Sequence, residues 1–255
     1  MMNDGPFSLA NKTVLVTGGT RGIGRAISLR FAEAGASVVA VFVRGQEAAD
    51  SLLETAKAGA LKIDCLRADL TRPSGLEAIN EYVEGGEVRL SGLVHCAATG
   101  VHKAVDEFTS RDIQWVFSLN VEAFVLLVAR LLPSMEEGAS IVALSSQGAT
   151  RAVPFYGLVG ASKGALEAYS RQLAAELAEK GIRVNVISPG AVLTEVWDVM
   201  PDRDQRLAAL VARTPLGRLV TSQEVAYTAQ FLCSEASSGV VGHTLVVDGG
   251  ARILE

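Results

Sequence analysis

The stretch KTVLVTGGTRGIG, residues 12–24, decides the fold. Its residues 14–16, Val-Leu-Val, form a short apolar strand pattern, and glycines at 18, 22 and 24 precede a helical pattern over 23–34. A glycine backbone lets a diphosphate approach closely, and a helix N-terminus offers it unpaired N–H groups. The stretch predicts a dinucleotide-binding turn, although glycine-rich turns also occur without a ligand.

The spacing of this turn is T-G-x-x-x-G-x-G, from Thr17 to Gly24, with Arg21 inside it. This pattern resembles the short-chain dehydrogenase/reductase family rather than the tighter G-x-G-x-x-G of other dehydrogenases. The resemblance implies a nicotinamide cofactor bound on a Rossmann-like sheet.

Strand and helix patterns alternate along the chain. The predicted strands cover 14–16, 37–43, 61–67, 91–96, 140–144, 182–187 and 244–247, and the predicted helices cover 23–34, 47–58, 73–83, 106–132 and 155–179. This alternation predicts an α/β fold: a single-domain, doubly wound parallel sheet of seven strands over residues 1–255, with helices on both faces. The irregular stretch 190–219 follows a strand end, where ligands bind in such sheets, and predicts a substrate lid.

Composition narrows the function classes. The 255 residues are 49% hydrophobic and 20% charged, as in an ordinary globular chain, and the net charge of −5 without a basic cluster argues against nucleic acid as a partner. We find no apolar run long enough to span a bilayer, and the opening residues MMNDGPFSLAN lack a signal-peptide pattern. A cytoplasmic protein that does not bind membranes is expected.

Three cysteines and three scattered histidines show no ligand spacing. We therefore expect small buried thiols rather than a disulfide, and no metal site.

The end of the second predicted strand selects the cofactor. It reads Phe42-Val43-Arg44, with no acidic residue before Glu47. A carboxylate there binds the ribose 2′-hydroxyl of NAD, whereas an arginine pairs with the 2′-phosphate of NADP. Arg44 and Arg21 thus predict NADPH, unless both are simply solvated surface arginines.

Other cofactor contacts follow from the family resemblance. Asp69 and Leu70 match the position that contacts adenine, although Asp69 could equally cap the following turn. Where most members carry Asn-Asn-Ala-Gly, this chain has His95-Cys96-Ala97-Ala98, which removes two side-chain amides that tie neighbouring loops. The cofactor-binding residues implied by the resemblance are Gly18, Thr20, Arg21, Gly22, Ile23, Gly24, Arg44, Asp69, Leu70, Ala97, Lys163, Pro189, Val192 and Thr194.

The catalytic spacing departs from that of ketone reducers. These have Tyr-x-x-x-Lys, but the residue four before Lys163 is Val159, and Tyr156 stands seven before it. In a helix both spacings place the two side chains on one face, with a rise of about 10 Å for seven residues and about 6 Å for four. The displaced tyrosine suits an α,β-unsaturated thioester, in which hydride lands two carbons away from the carbonyl oxygen.

Tyr-x6-Lys resembles the enoyl-acyl-carrier-protein reductases, and particularly the branch called enoyl-acyl-carrier-protein reductase III. Further segments that match this branch are 97–100, 145–148, 159–163, 214–218 and 247–250. The resemblance implies that Tyr156 stabilises an enolate, that Lys163 holds the cofactor ribose, and that the substrate is an acyl thioester, expected on an acyl carrier protein in fatty-acid or polyketide-like synthesis.

Ser146 and Asn120 match the remaining catalytic positions of the family. Ser146 could instead finish a strand, Asn120 could satisfy backbone groups inside a helix, and Tyr156 could pack as an aromatic staple. A carbonyl or 3-oxoacyl thioester reductase and a non-catalytic dinucleotide sensor also remain open. The long helices are apolar around much of their circumference, which predicts a homotetramer.

Overall fold

Seven parallel strands form one sheet in the computed structural model, which describes residues 5–194 and 202–253. The strands are β1 (Thr13–Thr17), β2 (Ser37–Phe42), β3 (Ile63–Arg67), β4 (Leu90–His95), β5 (Met135–Leu144), β6 (Arg183–Pro189) and β7 (Thr244–Val247). Their order across the sheet is β3-β2-β1-β4-β5-β6-β7. The predicted doubly wound sheet is therefore confirmed.

Helices cover both faces of this sheet. They are α1 (Gly22–Glu33), α2 (Gln46–Ala58), α3 (Pro73–Gly85), α4 (Ser110–Phe117), α5 (Ala123–Leu131), α6 (Gly157–Leu177), α7 (Arg203–Ala212) and α8 (Ser222–Cys233). Successive residues of a strand point to opposite faces, so Leu15 packs with α3, α5 and α6, whereas Val14 and Val16 pack with α1, α2 and α8. The carboxyl ends of β1–β4 thereby meet at one edge, above two separate apolar cores.

The predicted helix over 106–132 is wrong as a single element. A 3-10 turn covers Val105–Glu107, and α4 begins only after Thr109, whose hydroxyl accepts the N–H of Asp112 while the Asp112 carboxylate accepts the N–H of Thr109. A π turn over Ser118–Glu122 then separates α4 from α5. Such turns insert one residue into a helix and are frequent at functional sites.

The predicted helix over 155–179 is shorter in the structure. Phe155 has φ of +59°, a left-handed conformation outside the helix, and Tyr156 takes the N-cap position of α6. The helix interior begins at Gly157, so the separation of Tyr156 from Lys163 is not set by the rise of a continuous helix. Two helices within 190–244, α7 and α8, were not predicted.

The helical run Ser110–Ser134 is long and apolar enough to cross a membrane by length and composition alone, with a mean hydropathy of 1.8. This finding qualifies the expectation that no run reaches that length. It is a weak indication, because core helices of soluble proteins pass the same test, and Phe124, Leu127 and Leu131 of this run lie fully buried in the core.

Candidate functional site

A cleft of about 730 Å³ opens above the carboxyl ends of β1–β4. Most of the residues predicted to bind the cofactor line it together. They are Gly18, Thr20, Arg21, Gly22, Ile23, Gly24, Arg44, Asp69, Leu70, Ala97 and Thr194. The position agrees with the rule that ligands bind beyond the carboxyl ends of strands in open α/β sheets.

The glycine turn is shaped so that only glycine fits at two of its positions. Gly18 has φ of +64°, and a Cβ on Gly24 would overlap the Gly18 carbonyl oxygen. Ser28 fixes the turn from below, because its hydroxyl donates to the Gly19 carbonyl at 2.9 Å. Arg21, at the N-cap of α1, makes no side-chain cap, so the first N–H groups of this helix keep their capacity to bind an anion.

Arginines and one carboxylate line the far end of the cleft. Arg21 and Arg44 are both exposed on it. The Asp69 carboxylate is hydrogen-bonded within its own turn. It accepts the Thr71 N–H at 3.0 Å and the Thr71 hydroxyl at 2.7 Å. Burial acts to raise the pKa of Asp69, but these bonds and the nearby Arg72 outweigh it and lower the pKa. Asp69 therefore caps its turn and also lines the cleft, while its contact with adenine stays a prediction.

Thr17 and Asn120 tie the loop after β4. The Thr17 hydroxyl oxygen accepts the N–H groups of Cys96 and Ala97, each at 3.1 Å. Asn120 is fully buried in the π turn; its Oδ1 accepts the Thr99 N–H at 2.8 Å and its Nδ2 donates to the Thr99 carbonyl at 2.9 Å. These contacts supply the loop ties that the missing asparagines led us to doubt.

Lys163 projects from α6 into the protein beneath the loop after β4. Its Nζ donates to the Leu144 carbonyl at 2.7 Å, and the residue is only 5% exposed. Burial lowers the pKa of Lys163 to about 8, with a smaller opposing effect from Cys96. Across the described ranges no carboxylate pairs with Lys163, so the group combines a buried cationic donor with a pKa near neutral.

Tyr156 reaches the end of β5 from its place before α6. Its hydroxyl lies 3.4 Å from the Ser146 hydroxyl, a long hydrogen bond, and its ring packs against Gly148 and lies 5.5 Å from the ring of His102. Burial raises the pKa of Tyr156, an effect that Ser146 partly opposes. Val159, at the position where ketone reducers have their tyrosine, is a buried apolar residue with 4% exposure.

Three of the predicted cofactor residues, Lys163, Pro189 and Val192, are not among those that line the cleft. Pro189 pairs with Val247 inside the sheet, and Val192 is buried and bridges to Val220. Their neighbour Thr194 does reach the cleft. Of the predicted lid, residues 195–201 lie outside the described ranges, and the rest includes α7.

Several residues of the site were missed by sequence reasoning. Trp115 and Leu119, four apart on one helical face, line the cleft, and the Trp115 indole N–H donates to the Thr99 hydroxyl at 3.0 Å. Nothing in the sequence indicates this role for Trp115. The sequence did contain a signal for Thr17, because this residue is the first of the glycine motif. Its hydroxyl oxygen lies 3.1 Å from Nδ1 of His95.

Cysteines and acidic groups give no metal centre in the part of the chain that the structure describes, where no group of three or more ligating side chains forms. The cysteines are free thiols; Cys233 is buried on α8, while Cys65 and Cys96 are half-buried at strands. The prediction of small buried thiols therefore applies fully only to Cys233.

Comparison with known proteins gives consistent matches along the whole chain. A family model described as Enoyl-(Acyl carrier protein) reductase matches residues 18–252. A tropinone reductase homologue of Arabidopsis thaliana is 35% identical over 99% of this chain and 97% of its own. A 1-cyclohexenylcarbonyl-CoA reductase of Streptomyces collinus is 32% identical over 94% of this chain and 86% of its own.

Solved structures agree with this picture. A dehydrogenase/reductase of Sinorhizobium meliloti superposes with a TM-score of 0.91 at 30% identity, covering 97% of each chain. A candidate NAD(P)-dependent gluconate 5-dehydrogenase of Beutenbergia cavernae, solved with NADP at low occupancy, gives 0.88 at 32% identity over 98% of this chain and all of its own. From its glycine turn, its sheet and these relatives, the chain is a member of the short-chain dehydrogenase/reductase family and an oxidoreductase that uses a nicotinamide dinucleotide.

Proposed function

We propose that the protein reduces the α,β double bond of an enoyl thioester with NADPH. The observation that carries this proposal is the placement of the acid. Tyr156 lies before α6 with its hydroxyl beside Ser146, while a buried valine, Val159, occupies the position from which ketone reducers present theirs. An acid displaced in this way suits a carbonyl oxygen two carbons from the carbon that accepts hydride.

Two of the comparisons support the same reaction. The matching family model carries the description Enoyl-(Acyl carrier protein) reductase. The Streptomyces collinus relative is named for a 1-cyclohexenylcarbonyl-CoA substrate, whose name describes a thioester conjugated to a carbon–carbon double bond. We infer an acyl thioester substrate for this chain, carried by an acyl carrier protein or a similar thiol carrier.

The cleft fits a nicotinamide dinucleotide. A Cβ at Gly24 would fill the space beside Gly18, so the cradle depends on bare backbone, and the N–H groups at the start of α1 suit a diphosphate. Arg21 and Arg44 support NADP over NAD, because guanidinium groups pair with a 2′-phosphate. When bound, the reduced nicotinamide supplies the hydride.

The chain's own groups then act on the thioester oxygen. Because its pKa is raised, Tyr156 stays protonated at neutral pH and donates a hydrogen bond to the enolate oxygen as charge develops there. Ser146 orients that hydroxyl through the 3.4 Å contact. Lys163 supplies a buried positive charge, anchored on the Leu144 carbonyl, and hydrogen-bond donors for ribose hydroxyls.

A carbonyl reductase is the second candidate. The Arabidopsis relative is named after tropinone, a ketone, which favours it. Against it, Val159 presents no acid, and Tyr156 would have to serve from outside the helix. A non-catalytic dinucleotide sensor is less well supported, because Lys163, Tyr156 and Ser146 are all retained at the end of β5.

The deciding experiment compares two substrates of equal chain length. Oxidation of NADPH by the purified protein is followed with a trans-2-enoyl thioester and with a 3-oxoacyl thioester. Preference for the enoyl substrate supports the proposal. Preference for the oxo substrate makes the protein a ketoreductase with a displaced acid, and tight NADPH binding without turnover of either makes it a sensor.

We also propose a homotetramer. Ile113 and Leu126, on α4 and α5, are 46% and 43% exposed, and large apolar side chains in such positions suit a subunit contact. Sedimentation at micromolar concentration tests this, and a monomer would contradict it. A cytoplasmic location, without membrane or nucleic-acid partners, stays a prediction.

A further inference from the structure

His95 ends β4 where most family members carry the first asparagine of Asn-Asn-Ala-Gly. It is fully buried, and its ring stacks on Phe124 with centroids 5.0 Å apart. Its Nδ1 lies 3.1 Å from the hydroxyl oxygen of Thr17, at the end of β1. A titratable ring thus sits under the cofactor cleft at a position that the catalytic proposal does not use.

The hydrogen bonds of the Thr17 hydroxyl determine which nitrogen of the His95 ring carries the proton. A threonine hydroxyl has one proton to donate and two lone pairs that accept. The Thr17 oxygen accepts the N–H groups of Cys96 and Ala97, which occupy both lone pairs. The Thr17 hydroxyl proton is therefore donated to His95, and Nδ1 of the ring accepts it. The neutral ring then carries its own proton on Nε2.

The surroundings of Nε2 agree with this tautomer. Nε2 is buried and has no hydrogen-bond partner among the described residues, so no donor requires it to be the accepting nitrogen. The backbone of Leu119 favours the charged form of the ring and acts to raise the pKa of His95. Burial, and then the charge of Lys163, outweigh this and lower the pKa of His95 to about 3. The ring is neutral at physiological pH.

We propose that His95 is a positioning residue for the cofactor cleft, acting in its Nε2–H tautomer: Nδ1 accepts the Thr17 hydroxyl proton and so orients that hydroxyl. Through Thr17 it holds the Cys96 and Ala97 amides in place. The imidazole thus acts on the loop after β4, which lines the cleft, without lining the cleft itself.

Variants separate this role from simple packing. His95→Phe keeps the aromatic stack on Phe124 but removes both nitrogens, and His95→Asn keeps an acceptor and a donor. We expect the Kd for NADPH, measured by fluorescence titration, to rise about tenfold in His95→Phe and to stay within about threefold in His95→Asn. The readout needs no acyl substrate, so its outcome is independent of the proposed enoyl reduction.

A double-mutant cycle tests the link through Thr17. Thr17→Val removes the hydroxyl at nearly constant volume. If His95 acts through Thr17, the double variant binds NADPH about as weakly as Thr17→Val alone. Additive losses, or wild-type affinity in His95→Phe, would overturn the proposal.

The tautomer itself has a spectroscopic signature that a packing role would not produce. In protein labelled with ¹⁵N-histidine there are three ring systems, and His95→Asn identifies the one of interest. We expect a neutral Nε2–H ring from about pH 5 to about pH 8, and a changed ¹⁵N pattern in Thr17→Val. An Nδ1–H ring, or one that titrates in this range, contradicts the assignment even if His95→Phe fails to fold.

Discussion

The Tyr156 hydroxyl lies 3.4 Å from the Ser146 hydroxyl, although Tyr156 precedes α6 and Ser146 follows β5. The contact joins the N-cap residue of α6 to the segment that follows the end of β5. It is possible because Phe155, in a left-handed conformation, turns the chain just before the helix. The acid is thus presented by a loop, while Lys163 lies within α6.

Replacing Tyr156 by Phe should remove most of the turnover of an enoyl thioester. The variant keeps the ring that packs on Gly148 but loses the only hydroxyl we assign to the developing enolate oxygen. Loss of one such donor costs about 10² to 10³ in kcat. Steady-state kinetics with a trans-2-enoyl thioester measures the effect, and the Kd for NADPH should stay unchanged.

The matched control is Tyr227→Phe, because Tyr227 is exposed on α8 and contacts Arg30 rather than the cleft. It should retain wild-type kinetics. Full turnover by Tyr156→Phe would remove Tyr156 from the mechanism.

Arg44 should determine the preference for NADPH over NADH. Arg44→Ala removes a guanidinium from the cleft end of β2, and a charge-assisted pair with a 2′-phosphate is worth about tenfold or more in affinity. We expect KM for NADPH to rise by that factor and KM for NADH to change little. Arg21→Ala should act in the same direction.

Arg171→Ala serves as the control, since Arg171 is exposed on α6 and does not line the cleft. Similar KM values for the two cofactors in wild type, unchanged in Arg44→Ala, would refute the cofactor assignment.

Much of the fold could be predicted because buried parallel strands read as continuous apolar runs, as in Ser37–Phe42. The break in the helix near Asn120 could not be predicted. The π turn there depends on tertiary hydrogen bonds from the Asn120 side chain to Thr99 and Ser162. For α8 a local signal did exist: Thr221 and Glu224 form a capping box.

The site divides in a similar way. The glycine turn and Arg44 were predictable, because their chemistry is set by local sequence and by the end of a strand. Trp115 and His95 were not, since their roles depend on which groups they face across the fold, Thr99 for one and Thr17 for the other.

Lys163 should give stability a characteristic pH dependence. Its pKa is about 8 in the folded protein against 10.5 in the unfolded chain, so between these values the unfolded chain binds more protons. The free energy of unfolding contributed by this group therefore rises with pH through that window, by up to about 3 kcal/mol. Denaturant unfolding of the apoprotein at a series of pH values measures it.

Burial also raises the pKa of the Cys96 and Cys233 thiols, which lowers the free energy of unfolding at high pH and so opposes the effect of Lys163. Lys163→Met keeps both thiols, so comparing it with the wild type isolates the contribution of Lys163. The difference in unfolding free energy between wild type and Lys163→Met should grow from about pH 8 to about pH 10.5. A constant difference would show that Lys163 is not desolvated. Lys57→Met, at an exposed position on α2, should follow the wild type.

Trp115 should report cofactor binding directly. Its indole lines the cleft, is 44% exposed and is held by the Thr99 hydroxyl. Reduced nicotinamide absorbs where indole emits, so NADPH should quench its fluorescence and gain emission by energy transfer. The chain has two tryptophans, so the titration is made in a Trp197→Phe background, where Trp115 is the single emitter.

Loss of the indole should also weaken binding. Trp115→Phe removes the bond to Thr99 and part of the cleft wall, and we expect the Kd for NADPH, measured by calorimetry, to rise about fivefold. Thr99→Val removes the bond alone and should leave the quenching intact while weakening NADPH binding less. An emission from Trp115 that does not respond to saturating NADPH would show that the cofactor does not reach this wall.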